Sequence, residues 1–186
     1  MISLQPNKGR LLVAEPSIIG DLSFNRSVVL LADHNQEGSI GFILNKKLDF
    51  TLSDLIPEVK KDFQIYNGGP VEQDNLYFIH KVPNLIPDSI EIKNGIFWGG
   101  NFEAVKSLID NNLILEDDIK FFLGYSGWDP DQLNSELQSN AWIVIEDQDH
   151  KTILQPNNAD FWKNKMKELG GEYLIWSNAP ENPSYN

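Results

Sequence analysis

The sequence contains no cysteine, only three histidines and no long apolar run. Without cysteine the chain cannot form disulfides, thiolate zinc sites, iron–sulfur clusters or a thiol nucleophile. The histidines, His34, His80 and His150, stand at no spacing typical of a metal site. No segment approaches the roughly 18 apolar residues of a membrane span, and no secretory signal pattern opens the chain. We therefore expect a soluble cytoplasmic protein with no metal, no cofactor and no membrane contact.

Basic residues are scarce relative to acidic ones. The formal net charge is −12, and residues 101–186 carry 15 acidic side chains against 6 basic ones. The basic pairs Lys46–Lys47 and Lys60–Lys61 are isolated from each other and form no stripe. Nucleic-acid binding draws most of its nonspecific affinity from cations that replace counterions at phosphates, so direct binding to DNA or RNA is not expected. The acidic side chains are expected to form a solvated surface.

Short apolar runs separated by turn residues predict strands along most of the 186 residues. The predicted strands are Arg10–Ala14, Ser27–Ala32, Ser39–Leu44, Phe63–Tyr66, Asn75–Lys81, Ser89–Ile92, Ile96–Trp98, Ile119–Leu123 and Ala141–Ile145, with Thr152–Leu154 as a further strand beside the last. The predicted helices are Thr51–Leu55, Phe102–Asn111, one that begins at Asp129-Pro130-Asp131-Gln132, and Asn158–Leu169. This irregular mixture, with short turns between strands, favours an α+β fold with a largely antiparallel sheet. We expect one domain over residues 1–186, with residues 177–186 as a loosely ordered tail.

Three glycine-punctuated segments are the most distinctive part of the sequence, and they are Gly9–Asn45, Asn67–Glu72 and Gly124–Glu136. Their motifs resemble those of the YqgE/AlgH family of small bacterial proteins. The matching motifs run in the family's order and are Gly9-x-Leu11-Leu12-x-Ala14-x-Pro16, Phe24-x-Arg26-Ser27-Val28-Val29-Leu30-Leu31, Gly38-x-x-Gly41-x-x-Leu44-Asn45, Gly68-Gly69-Pro70-Val71 and Gly124-Tyr125-Ser126-Gly127-Trp128, followed by Gln132-Leu133, Glu136 and Trp142. The resemblance implies a bifurcated sheet curled into a pseudo-barrel with about four flanking helices. It brings no agreed biochemical activity, although some members are called transcriptional regulators of exopolysaccharide synthesis.

The polar and flexible residues at the strand ends of these motifs are the candidates for a binding site. They are Arg26, Ser27, Asn45, Gly68, Gly69, Pro70, Tyr125, Ser126, Gly127, Trp128 and Gln132. Hydroxyl, amide and guanidinium groups beside flexible turns can bind a partner without making or breaking covalent bonds. We therefore interpret the chain as a non-enzymatic binding or regulatory domain for an unidentified protein or small molecule, acting on transcription only indirectly. No catalytic residue is assigned, and a direct DNA-binding regulator is kept as an alternative.

Arg26 directly precedes a strongly apolar predicted strand. At the rim of a sheet its planar guanidinium can hold a carboxylate, a phosphate or a backbone carbonyl. An ion pair with Asp21 or Asp33 is the favoured explanation of its position. Asn45 ends the following predicted strand, so we expect it close to Arg26 if the two strands form a hairpin.

Ser126 supports an alternative interpretation, in which it is the nucleophile of a serine hydrolase. It lies between a predicted strand and a predicted helix, as the serine of a nucleophile elbow does. The motif G-x-S-x-G would need glycine in place of Trp128, and the only downstream histidine, His150, lies in a predicted hairpin turn. Glycines that permit a sharp turn explain the pattern better. Gln132 is likewise interpreted first as a capping residue, whereas an exposed Trp128 would indicate recognition.

Overall fold

Ten strands and six α-helices make up the part of the chain that the structure, a computed structural model, describes, namely residues 4–16, 22–147, 150–156 and 159–180. The strands are β1 (Leu11–Ala14), β2 (Val28–Asn35), β3 (Gly38–Ile43), β4 (Lys47–Thr51), β5 (Gln64–Asn67), β6 (Val71–His80), β7 (Ile90–Lys93), β8 (Ile96–Trp98), β9 (Ile119–Trp128) and β10 (Trp142–Ile145). The helices are α1 (Leu52–Leu55), α2 (Phe102–Asp110), α3 (Gln132–Gln138), α4 (His150–Leu154), α5 (Phe161–Leu169) and α6 (Tyr173–Asn178). The predicted α+β class is confirmed, with six helices in place of about four.

The strands form one branched, largely antiparallel sheet. Its order is β10-β1-β2-β3-β9-β6-β8-β7, while β4 and β5 lie off this path. Strand β9 is the branch point, because its residues 126–128 pair with β3 and its residues 121–123 pair in parallel with β5. Its opposite edge pairs with β6. The bifurcated sheet is therefore confirmed, but among the described strands it does not close into a barrel, since β10 and β7 form its two ends.

Strand β1 is buried on both faces, which explains its continuous apolar sequence. Leu11 and Val13 belong to a core cluster that also contains residues of α5. Leu12 and Ala14 belong to a cluster on the other face, together with Leu133 of α3. A third cluster lies between the sheet and the buried stripe of α2. Helices thus cover the sheet on both sides near β1, and the motif residues Gly124–Trp128 lie in β9, where the sheet branches.

Thr152–Leu154 form part of helix α4, so the predicted strand at these residues was wrong. Ile153 and Leu154 are neighbours in the sequence and both are buried in the same core cluster. Alternating side chains of a strand would point to opposite faces, whereas a helical turn can bury both. Three apolar residues are too few to distinguish the two structures by periodicity.

Helix α3 begins at Gln132, two residues after the predicted start at Pro130. Asp131 has a φ of +65°, a left-handed conformation that no residue within a regular helix adopts. The sequence correctly predicted that a helix follows this turn, but the residues predicted as its first turn are not helical. The predicted N-cap of α5, Asn158, lies outside the described residues.

The C-terminal region is helical as far as position 178. Helix α6 includes the first two residues of the predicted loose tail, and residues 181–186 lie outside the described part of the chain. Loose order beyond position 180 therefore stays a prediction. Over the described ranges, no helix combines the length and the apolar character that crossing a lipid bilayer requires.

Candidate functional site

Two of the three glycine segments, Asn67–Glu72 and Gly124–Glu136, meet along a line of close backbone contact. We call this line the glycine seam and define it as Gly68, Gly69, Gly124, Tyr125 and Ser126. A Cβ atom added to Gly124 would lie 2.6 Å from the carbonyl oxygen of Gly69. A Cβ atom added to Gly69, whose φ is +150°, would overlap the backbone of Tyr125 and Ser126. All three glycines are buried. Only glycine allows two backbones to approach so closely, so the seam is a packing device rather than an open cleft.

Ser126 lies within the seam and is fully buried. Its Oγ donates a hydrogen bond of 3.0 Å to the carbonyl oxygen of Gly68, which also accepts the backbone N–H of Ile43 at 2.9 Å. In the described part of the chain no imidazole contacts this hydroxyl, and the side chain of His150 is outside that part. The hydroxyl therefore satisfies a backbone group where the sheet branches.

Replacing Ser126 by alanine is expected to lower the free energy of unfolding by about 1 kcal/mol, because one buried hydrogen bond is lost. The loss stays small since the Gly68 carbonyl keeps its bond from Ile43. Urea denaturation of both proteins measures the change, and a loss well above 2 kcal/mol would show that the hydroxyl makes a larger contribution than one hydrogen bond.

The unchanged protein and Ser126→Ala also test the hydrolase alternative. A fluorophosphonate that labels the unchanged protein but not Ser126→Ala would establish that alternative.

Trp128 and Gln132 belong to a hydrogen-bond network around Glu136, which runs from the buried Trp128 ring to the exposed Gln132 side chain. Trp128 is only 5% exposed, so it offers no surface for recognition. Its Nε1 donates to Glu136 Oε2 at 2.9 Å, and Trp142 Nε1 donates to the same oxygen at 2.7 Å. Gln132 accepts the backbone N–H of Asp129 at 2.9 Å and donates to Glu136 Oε1 at 3.0 Å. Gln132 thus bonds to the backbone of the turn before α3, but it is the first residue of the helix and not the capping partner predicted for a helix start at Pro130. The network holds α3 against the sheet.

Tyr125, Gly127 and Pro70 lie on the more accessible side of the seam. Tyr125 is half-buried, and its ring meets the Tyr77 ring edge-on with 5.6 Å between the centroids. A Cβ atom on Gly127 would lie 3.3 Å from the Tyr125 ring, and Pro70 is exposed. Of these three candidates, only Tyr125 brings a side chain into contact with further aromatic rings of β6.

Arg26, Ser27 and Asn45 come together where β2 begins, because β2 and β3 form a hairpin. Asn45 Nδ2 donates to the carbonyl oxygen of Arg26 at 2.9 Å, and Asn45 Oδ1 accepts the N–H of Val28 at 2.9 Å. Ser27 is buried, and its Oγ donates to the carbonyl oxygen of Phe24 at 2.8 Å. The predicted closeness of Asn45 and Arg26 is confirmed. These bonds fix the backbone that carries the guanidinium.

The guanidinium of Arg26 makes no ion pair with Asp33, and Asp21, the other partner expected for it, lies outside the described residues. Nη2 donates instead to the carbonyl oxygens of Ala179 at 3.0 Å and of Pro180 at 2.6 Å. The Asp33 carboxylate accepts its hydrogen bonds from groups within its own hairpin turn. Sequence proximity favoured an aspartate, whereas the fold brings the distant C-terminal segment to this arginine.

A cavity of about 440 Å³, which we call the aromatic cavity, opens beside β6, β8 and the start of α2. It is lined by Ile56, Leu76, Tyr77, Phe78, Trp98, Gly99, Gly100 and Phe102. This cavity was not predicted from the sequence, because its walls come from separate elements that only the tertiary fold brings together. The signal that pointed to it is the run Phe97-Trp98-Gly99-Gly100-Asn101-Phe102, where aromatic residues flank two glycines.

Rings behind the cavity hold its aromatic walls in place. The Phe42 ring is fully buried, and its centroid lies 5.8 Å from that of Tyr77 and 5.9 Å from that of Trp98. The Phe102 ring lies 6.1 Å from Phe78. Such contacts lie in the range at which aromatic pairs attract one another. The walls are therefore formed before any ligand arrives, as in most small-molecule sites.

A carboxylate stands near one edge of the cavity. Glu72 accepts hydrogen bonds from the Tyr77 hydroxyl and, at 2.9 Å, from Asn75 Nδ2. The bond from Tyr77, and then that from Asn75, lower the pKa of Glu72. Partial burial is the main reason why the pKa of Tyr77 is raised. Near neutral pH the edge therefore carries a negative charge that orients the Tyr77 ring.

His80 lies behind the cavity and is fully buried. Desolvation lowers its pKa, partly opposed by its bond to Gly99. Nε2 lies 3.1 Å from the Gly99 carbonyl oxygen and donates to it, while Nδ1 accepts the N–H of Val82 at 3.3 Å. Both nitrogens of the neutral ring are thus hydrogen-bonded to backbone groups. Nowhere in the described ranges do three His, Cys, Asp or Glu side chains group to hold a metal ion.

Relatives match this chain over nearly its whole length. A model of the AlgH-like family matches residues 11–174. The UPF0301 protein of Bacteroides thetaiotaomicron is 38% identical over 183 residues, which cover 97% of this chain and 92% of that protein. The UPF0301 protein of Cytophaga hutchinsonii is 40% identical over 181 residues, which cover 96% of this chain and 98% of that protein.

Two solved structures share the fold. Protein DIP2367 from Corynebacterium diphtheriae superposes with a TM-score of 0.75 at 23% identity, over 96% of this chain and 95% of that one. The AlgH protein from Pseudomonas aeruginosa superposes with a TM-score of 0.71 at 24% identity, over 97% of this chain and 98% of that one. The motifs, the branched sheet and these matches agree, and the chain belongs to the AlgH-like family of UPF0301 proteins.

Proposed function

We propose that this protein is a non-enzymatic, cytoplasmic binding domain that holds a small molecule through a flat apolar group in the aromatic cavity. The observation that carries the proposal is the preformed cavity itself, walled by Tyr77, Trp98 and Phe102. Its volume of about 440 Å³ falls within the range of roughly 300–1,000 Å³ that small-molecule sites occupy. A flat ring can stack against such walls and gain the extra attraction of aromatic pairs.

The contrast with the glycine seam supports a binding role over a catalytic one. The Ser126 hydroxyl is buried and donates to a backbone carbonyl, and both nitrogens of His80 are bonded to backbone groups. These polar side chains support the backbone, whereas the cavity presents apolar surface to a ligand. A regulatory role would then act through the bound molecule rather than through DNA, because the net charge of −12 opposes contact with phosphates.

A thermal-shift screen with small aromatic and aliphatic compounds tests the proposal. A ligand present at 100 times its dissociation constant adds about 2.7 kcal/mol of stability, which raises the melting temperature of a chain of this size by about 5–10 °C. Leu76→Glu is expected to abolish the shift, because it places a carboxylate in the apolar wall. The control Ile90→Glu changes an exposed apolar residue on β7 outside the cavity and is expected to keep it.

Two results would count against the proposal. One is a screen in which no compound raises the melting temperature of the unchanged protein. The other is an equal shift in Leu76→Glu and in Ile90→Glu, which would locate binding elsewhere. Leu76→Gln provides a milder version if the charged variant does not fold.

A further inference from the structure

Arg26 carries a hydrogen-bonding capacity that its neighbours leave unused. Its Nη1 is buried and has no hydrogen-bond partner within the described ranges, where no carboxylate pairs with the guanidinium either. Nη2 donates to two neutral oxygens, the carbonyls of Ala179 and Pro180. Buried polar groups are nearly always bonded, and a cation gains most from an anionic acceptor. Among the described residues, the arrangement therefore lacks one acceptor and one negative charge.

The guanidinium is held in a fixed orientation. The backbone of Arg26 has a φ of +53°, and its carbonyl oxygen accepts from Asn45 Nδ2 at 2.9 Å. The guanidinium carbon lies 5.1 Å from the ring centroid of Trp162. That indole is buried and donates from Nε1 to the carbonyl oxygen of Ala14 at 2.8 Å. A planar fork on a fixed aromatic face is suited to recognising a planar acceptor.

A carboxylate matches this fork better than the carbonyl pair does. The two oxygens of a carboxylate can accept hydrogen bonds from Nη1 and Nη2 together, whereas the carbonyl oxygens of Ala179 and Pro180 both accept from Nη2 alone. A second cation is near the same turn, because Lys46 Nζ donates to the carbonyl oxygen of Asn25 at 2.5 Å. In a chain with a net charge of −12, two cationic side chains therefore lie close to this turn.

We propose that Arg26 is a carboxylate-binding site, separate from the aromatic cavity, which residues 179–180 cover in the free protein. A ligand carboxylate takes both terminal nitrogens and displaces the two carbonyls. Helix α6 ends at Asn178, directly before the covering segment, so its last turn loosens when the carboxylate binds. Binding at Arg26 and release of the C-terminal segment are then one coupled equilibrium.

Acetate is the probe, titrated at constant ionic strength against chloride and followed by the NMR signals of the Arg26 side chain and the Trp162 indole. Arg26→Lys keeps the charge but lacks the fork, and it is expected to weaken acetate binding at least tenfold. Pro180→Gly loosens the covering segment in the full chain and is expected to strengthen binding severalfold. Hydrogen exchange of the α6 amides is expected to become faster in the unchanged protein when acetate is added.

Several results would overturn the proposal. Equal acetate affinity in Arg26→Lys would show that the fork is not used, and tighter binding of inorganic phosphate than of acetate would show that charge alone is recognised. Unchanged exchange of α6 at saturating acetate would separate binding from the C-terminal segment. Absence of any acetate-dependent signal in both the unchanged protein and Pro180→Gly would remove the site itself. The exchange measurement needs no variant, so the test holds even if Arg26→Lys does not fold.

Discussion

Gly69→Ala is expected to destabilise the protein by about 3–5 kcal/mol, which is a large part of the stability of a typical domain. Gly69 has a φ of +150°, a conformation that is essentially reserved for glycine. The added methyl group would also overlap the backbone of Tyr125 and Ser126 in β9, which cannot move aside as a flexible side chain can. The seam would have to separate at the point where the sheet branches.

Gly95→Ala is the matched control for this prediction. Gly95 also has a positive φ, +82°, but a Cβ atom there meets no other atom within 4 Å. It should therefore show only the backbone penalty of roughly 1–2 kcal/mol. Urea denaturation of both variants measures the two losses. Similar losses at Gly69 and Gly95 would mean that close contact in the seam contributes little.

The second large effect concerns Lys120, which is buried in β9 with only 2% of its surface exposed. Its Nζ donates to the carbonyl oxygen of Gln155 at 2.8 Å and lies 4.0 Å from the ring centroid of Tyr66. Burial, and then the charge of Lys47, lower the pKa of Lys120 to about 7. Burial, followed by the nearby charge of Glu116, raises the pKa of Tyr66. The folded protein therefore holds the lysine proton far more weakly than the unfolded chain does.

This shift predicts that stability rises with pH. The unfolded chain keeps the Lys120 proton up to a pKa of about 10.4, whereas the folded protein loses it near pH 7. Between these values the unfolded state binds more protons, so raising the pH favours the folded state. Below pH 7 both states are protonated, and the folded state bears the full cost of a buried charge. Lys120→Met removes this cost while keeping an apolar side chain.

The expected result is a difference in stability that depends on pH. The amount by which the free energy of unfolding of Lys120→Met exceeds that of the unchanged protein should shrink by about 2–3 kcal/mol between pH 6.5 and pH 9. Urea denaturation at several pH values measures the difference, and Lys60→Met, which removes an exposed lysine, should give a flat line. A flat line for Lys120→Met as well would show that this ammonium is not destabilised by burial.

Local sequence patterns predicted most strands and the sheet class, because turn residues and apolar runs are local signals. They also predicted that Asn45 meets Arg26, since a hairpin follows from two adjacent strands and a short loop. The helical turn at Thr152–Leu154 was not predictable, because three apolar residues carry no distinguishing period. The partner of Arg26 was not predictable either, because Ala179 lies 153 positions away in the sequence.

The candidate site shows a different limit of sequence reasoning. The glycine motifs were singled out as a candidate site, but a motif that packs backbone against backbone has the same letters as one that surrounds a ligand. The sharp strand-to-helix turn expected at Gly124–Gly127 was wrong, because strand β9 continues through these residues to Trp128. Burial of Ser126 and Trp128 distinguishes the two cases, and burial depends on the tertiary fold. The aromatic cavity combines Trp98 and Phe102, which stand in one short run of the sequence, with Tyr77 of β6, which no local pattern joins to them.

The central claim is that the seam shapes the backbone while the aromatic cavity holds the ligand. An amide NMR spectrum, recorded with the strongest compound from the thermal-shift screen, tests it most directly. The signals of Leu76, Tyr77, Trp98 and Phe102 are predicted to move in a saturable way, while those of Gly68 and Ser126 stay in place. Movement centred on Ser126 and Gly68, with the cavity signals unchanged, would contradict the claim.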